Sequence, residues 1–138
     1  MSSDHYAPKW CKPSYSEEER EFARVSLTLE IHLDELREGF TKGELVDLPN
    51  WMWCSLLNTD SNDVFSLAEA EERAKLYNRD LSRVVQGMSS RSTIPAPIVL
   101  SRGDSQGAPR PYLMAGNTRL MACRVLNVRP KVWMMRTL

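Results

Sequence analysis

The sequence predicts an α+β domain: a mainly helical N-terminal part followed by a small mixed sheet with packed helices. Residues 16–38 hold neither proline nor glycine and are rich in Glu, Arg and Leu, a helix-forming composition. Residues 94–135 instead alternate short apolar runs with turn formers, in the order strand, loop, strand, tight turn, helix, strand. The charge follows the same division. Residues 1–80 hold nine basic and seventeen acidic side chains, residues 81–138 nine basic and one acidic, so a chain of zero net charge divides into halves of −8 and +8. At 138 residues it is long enough for one hydrophobic core.

Along the chain, residues 1–15 read as an irregular arm and residues 16–138 as a single domain with its core in 66–138. Ser16 with Glu19 forms a capping box, and Glu17 and Glu18 add acids to the first turn. Phe22, Val25, Leu29, Leu36 and Phe40 lie on a helical stripe, whereas Val25, Leu27, Leu29, Ile31 and Leu33 alternate as in a strand. The composition favours helix through much of 16–38, with Gly39 as the stop. Residues 41–65 read as irregular, with Gly43, Pro49 and the turn formers from Asn58 to Asp63 around an apolar piece, Trp51 to Leu57, read as packing residues. Ser66 and Glu69 open a helix to about Asn78, and a second short helix runs from Leu81 to Gln86, ended by Gly87.

From Ile94 to Leu100 two prolines hold the chain extended, and Ile98-Val99-Leu100 is a buried-strand signal. Residues 101–111 read as a loop, Tyr112 to Ala115 as a second strand, Asn117 to Leu126 as a helix and Lys131 to Met135 as a third strand. No apolar run approaches the roughly 18 residues that span a bilayer, and the first residues lack a secretory core. Cys11, Cys54 and Cys123 are far apart, form no C-x-x-C pair and fit reduced thiols. With only His5 and His32 beside them, they argue against a zinc site. A cytoplasmic protein is expected.

The polar box Gly116-Asn117-Thr118-Arg119 separates the second strand from the helix. Gly116 permits a sharp turn, Asn117 or Thr118 caps the helix, and Arg119 adds a full charge where free N–H groups and the helix dipole already favour an anion. Taken by itself the box is either an ordinary capped helix start or a turn built to hold a phosphate; in the second case Arg91, Arg110 and Arg124 are further candidate phosphate or DNA contacts in the basic half.

The segments IPAPIVL and PYLMAGNTRLMACRVLNVRPKVWMM resemble the core of the ParB/sulfiredoxin-like superfamily over roughly residues 94–135. The corresponding box is Gly-Glu-Arg-Arg in ParB partition proteins, Gly-Cys-His-Arg in sulfiredoxins and Gly-His-His-Arg in the free-serine kinases. The resemblance implies a ParB/sulfiredoxin-like fold that binds nucleotide phosphates at this turn, with Gly116 and Arg119 carried over. Asn117 stands where sulfiredoxins have the catalytic cysteine, which argues against sulfinic-acid reduction. Thr118 replaces a ParB arginine. The function expected is an ATP- and Mg2+-dependent phosphotransferase, a kinase acting on a hydroxyl acceptor such as a hydroxymethylated pyrimidine in the DNA of a phage or mobile element. Such chemistry needs a base. With almost no acid in the basic half, the best cluster is His32, Asp34 and Glu35, with Asp34 or Glu35 as base or metal ligand and Asp47 and Asp63 in reserve. The alternative is a non-catalytic ParB-like nucleotide- or DNA-binding module or regulator, which needs no base. A nuclease would need clustered metal-binding acids beside the basic half, and none is visible there.

Overall fold

The computed structural model describes residues 9–49, 52, 86, 93–103, 109–126 and 128–136. The helix expected over 66–78, that expected over 81–86 apart from Gln86, which is helical, and the apolar piece 51–57 apart from Met52 lie outside them. The described elements, in chain order, are β1 (Lys9–Cys11), α1 (Tyr15–Leu29), α2 (Leu33–Thr41), β2 (Glu44–Asp47), β3 (Thr93–Pro95), β4 (Ile98–Gly103), β5 (Pro109–Ala115), α3 (Asn117–Leu126) and β6 (Lys131–Arg136). The α+β class is as the sequence predicts.

The N-terminal half differs in detail. The arm expected to be irregular contains β1, which pairs in parallel with β3. The helix expected through 16–38 is two helices. Glu30 adopts the left-handed conformation (φ 56°), and its N–H and that of Ile31 both reach Ser26 O. The Ser26 hydroxyl donates to Ile31 O (2.6 Å), fastening the chain as it leaves α1. A non-glycine residue in this conformation carries a local cost, so the break has no glycine or proline to announce it. α1 begins at Tyr15, with Ser14 rather than Ser16 at the N-cap position and no side-chain cap bond. β2 occupies part of the stretch expected to be irregular.

The C-terminal third follows the expected order, with longer strands. β4 and β5 extend into the expected loop and pair from Ile98↔Ala115 to Gly103↔Pro109. The extended run 94–100 divides at Ala96-Pro97: β3 pairs with β1, while β4 enters a four-stranded sheet of order β2-β6-β4-β5. There β6 runs parallel to β4 and antiparallel to β2. β5 lies at the sheet edge, where prolines such as Pro111 are tolerated.

Strand alternation sends side chains to two cores. Ile98, Leu100, Met114, Trp133 and Met135 pack against Phe22, Val25, Leu36 and Phe40 of α1 and α2. Val99, Leu113, Val132 and Met134 face Leu120 of α3 together with Leu48 and Met52. The first core is aromatic at its centre. Phe22 and Phe40 meet edge to face at 5.6 Å, Phe40 lies 5.8 Å from Trp133, and the Trp133 indole N–H donates to Phe40 O (3.0 Å). Gly43 is required beside it, because a Cβ there would collide with that indole.

These packing differences set the expected mutational response. Leu100 is fully buried, so Leu100→Ala is expected to lower stability by about 2–5 kcal/mol. Leu27 is 83% exposed, and Leu27→Ser is expected to change it by no more than about 0.5 kcal/mol. Urea denaturation of both variants checks the contrast.

Candidate functional site

α3 begins where the sequence places it. Gly116 has φ 99°, and a Cβ on it would lie 2.8 Å from Pro97 Cα and 2.9 Å from Pro97 Cβ. Both the backbone conformation and the close approach therefore call for glycine. The Leu120 N–H donates to Gly116 O (2.8 Å), which sets the helical register. The N–H groups of Asn117, Thr118 and Arg119 accordingly have no intrahelical acceptor, and the dipole of this ten-residue helix favours negative charge beside them.

Arg119 departs from expectation. Its position in the first turn suggested a surface guanidinium free to meet a ligand. Instead the side chain is only 15% exposed and leans back toward the helix start. One terminal nitrogen, Nη1, donates to Pro95 O at 2.6 Å and more distantly to Ala96 O at 3.4 Å. The other, Nη2, donates to Glu18 Oε1 at 3.1 Å, forming an ion pair between α1 and α3 across 101 residues of sequence. Glu18 is equally enclosed, at 15% exposure. The sequence marks it only as a first-turn acid of α1. No local signal joins it to the box, because the pairing is a product of the tertiary fold.

The Glu18 carboxyl is held above the ordinary glutamate range. Burial is the main cause; Arg119 opposes it through its charge and hydrogen bond, and the neighbouring Glu21 and Glu17 add to the rise. Cys123, on the same helix, is fully buried, and burial pushes its thiol well above its ordinary value. It is a core residue and poorly suited to thiolate chemistry.

The other candidates stand apart from this turn. His32 is the N-cap residue of α2, Asp34 and Glu35 occupy its first turn, and all three are exposed. Ile31 is bonded to Ser26, and Ser26 lies eight residues beyond Glu18 on α1, about 12 Å along the helix axis. α2 then returns along α1, so that Arg37 Nε donates to Tyr15 OH (2.8 Å). Asp34 and Glu19 both act electrostatically on Arg37, and among the described residues no hydrogen bond or ion pair joins His32, Asp34 or Glu35 to Glu18 or Arg119. Asp47 is exposed at the end of β2, two strands from β4, and Asp63 lies outside the described residues.

Asn117 and Thr118 occupy the first two positions of α3. Arg110 is in β5, in register with Arg102 of β4. Arg124 lies in the last turn of α3 and is partly buried, and Arg91 lies outside the described residues. Among the described residues no three His, Cys, Asp or Glu side chains cluster as metal ligands. Glu18, the acid found at the turn, is engaged by Arg119. A separate depression of about 710 Å³ runs along β2 and β6, lined in part by Val46, Met134, Ser101 and Arg136. No described helix is long and apolar enough to cross a membrane. Comparison with protein-family models, curated proteins and solved structures gives no match.

The ion pair generates two expectations. The folded chain binds the Glu18 proton more tightly than the unfolded chain does. Its contribution to stability is thus full below the ordinary glutamate pKa and is lost as pH rises through the raised folded value. The stability of the wild type relative to Glu18→Gln is expected to fall across that window and then level off, as urea denaturation at stepped pH would show. Arg119→Ala removes the bonds to Pro95 and Glu18 together and is expected to lower stability by about 1–3 kcal/mol. A variant that melts with the wild type would show that the clasp adds nothing to stability.

Proposed function

We propose that the chain is a non-catalytic phosphate- or nucleotide-binding module of the ParB-like kind, with the ligand's anion held at the start of α3. One observation carries this reading: a glycine turn opens α3 with three N–H groups outside the helical ladder, and the guanidinium of the same turn is held by an internal carboxylate. The order β4, β5, glycine turn, α3, β6 supports a ParB/sulfiredoxin-like core. The +8 charge of residues 81–138 favours an anionic partner, nucleotide or DNA. A phosphotransferase acting through Mg2+ needs a base beside the held phosphate, and among the described residues no hydrogen bond or ion pair ties His32, Asp34 or Glu35 to Arg119.

The test pairs binding with turnover. Amide NMR during titration with ATP is expected to shift the signals of Gly116 and Leu120 first. Incubation with γ-labelled ATP, Mg2+ and either hydroxymethyluracil-containing DNA or free serine is expected to transfer no phosphate. Shifts confined to other segments would remove the anion site from α3. Phosphate transfer abolished by Asp34→Asn or Glu35→Gln would install the phosphotransferase reading in its place.

A further inference from the structure

We infer that the depression along β2 and β6 binds a short apolar peptide with free ends, about three residues long. It lies antiparallel to β2, with its carboxylate toward Arg136 and its ammonium toward Asp47. The inference is independent of the anion site at α3. Gly116 follows the Ile98↔Ala115 end of β4, whereas the depression opens further along, where Ser101 meets Arg136.

The sheet builds the floor. Val46 and Met134 face the α3 side, where they pack with Val99 and Leu120. Ser101 lies two residues from Val99 and Arg136 two from Met134, so strand alternation sends both to that same face. Ser101 and Arg136 are partners across β4 and β6, and Glu44 and Met134 across β2 and β6. Pro49 and the buried Met52 add apolar surface to the lining. At about 710 Å³ the depression falls in the range of small-ligand pockets.

Charge selects the occupant. Lys42 and Arg136 line the depression where β2 starts, Asp47 lines it where β2 ends, and Glu44 stands between. Two cations and two acids call for a ligand with no net charge and with its own charges set apart. Asp47 is in register with Lys131, five residues from Arg136 along β6, or about 17 Å. The reach of the arginine and aspartate side chains shortens that span to roughly 10 Å, the length of three extended residues. A single amino acid holds its two charges too close together to meet both ends. Among the described residues Ser101, Glu44, Asp47 and Arg136 make no side-chain hydrogen bond or ion pair. The Lys42 bond to Glu38 (2.8 Å) joins two exposed side chains and contributes little, so Lys42 can turn to a ligand. β2 supplies the reason for a peptide. Among the described residues it is an edge strand with β6 on one side only, and its outer N–H and C=O groups can receive an extended backbone. Antiparallel addition then puts the carboxylate beside Lys42 and Arg136 and the ammonium beside Asp47.

The tripeptide Leu-Ser-Leu with free ends, its C-terminal amide and its N-acetyl form test this on the full chain, read from the amide NMR signals of Val46, Ser101 and Met134. The free peptide is expected to shift these three signals and to bind at least about tenfold more tightly than the amide. In Arg136→Gln, a change at an exposed strand end, that preference is expected to fall to about threefold or less. N-acetylation is expected to weaken binding to the wild type and to matter much less in Asp47→Asn. No binding of the free peptide, equal binding of its amide, or a carboxylate preference that survives Arg136→Gln would each overturn the assignment. Shifts of the same signals with protein concentration alone would seat a second copy in the depression and overturn it as well. None of these outcomes touches the α3 site, because the peptides carry no phosphate.

Discussion

The chain is organised around three consecutive residues, Pro95-Ala96-Pro97, and around their backbone polar groups. Two prolines fix the backbone as extended and leave carbonyl oxygens with no neighbouring proline N–H groups to place. The backbone polar groups of this segment are then taken by three parts of the molecule, α3, β1 and β6. Pro95 O and Ala96 O accept from Arg119 of α3. The Ala96 N–H donates to Cys11 O of β1, and Pro97 O accepts from the Trp133 N–H of β6 (2.8 Å). The ring of Pro97 closes against Gly116. The β1–β3 ribbon, the central strand, the turn before α3 and, through Glu18, the start of α1 thus meet at one short segment. Buried backbone groups must find partners, and here the search for partners ties the fold together.

The sheet follows from that junction. The bond to Pro97 O sets β6 beside β4, with Ile98 opposite Trp133 and Ser101 opposite Arg136. Being central, β6 must feed both cores, which explains why Val132 through Met135 are apolar at every position rather than at alternate ones. Trp133 and Met135 complete the aromatic core beneath α1 and α2, while Val132 and Met134 complete the core beneath α3. A one-residue slip would exchange the two sets and strand the Trp133 N–H that Phe40 O accepts.

Much of the C-terminal third was legible because its signals are local. Gly116 at the turn, Ile98-Val99-Leu100 and the apolar face of α3 each announce their element within a few residues. The strand ends were not, because pairing between β4 and β5 overrides the glycine and proline content of the expected loop. The N-terminal half was harder still. Residues 25–33 satisfy a helical and an alternating pattern at once, and the break at Glu30 depends on a left-handed non-glycine residue that no propensity favours. β1 and β2 are three and four residues long and exist through their partners β3 and β6, so their own sequences carry little signal. At the site the box was legible and its neighbourhood was not. Glu18 reaches Arg119 across 101 residues, and a first-turn glutamate looks the same in sequence whether it faces water or an arginine.

That partnership changes what the arginine of the box does. A guanidinium read from sequence alone is a charge awaiting a ligand. Placed against Pro95, Ala96 and Glu18, it is first a structural clasp, because enclosing an unpaired cation would cost more than the fold gains from burying its stem. The same enclosure that makes Arg119 useful to the fold also strengthens any charge interaction it makes, since little water screens it. The two terminal nitrogens divide between two parts of the fold: Nη2 holds α1 through Glu18, while Nη1 stays with the backbone at Pro95. The tie to α1 and the tie to the backbone before β4 thus meet at one guanidinium, so a substitution at Glu18 and one at Arg119 act on the same contact and are not additive.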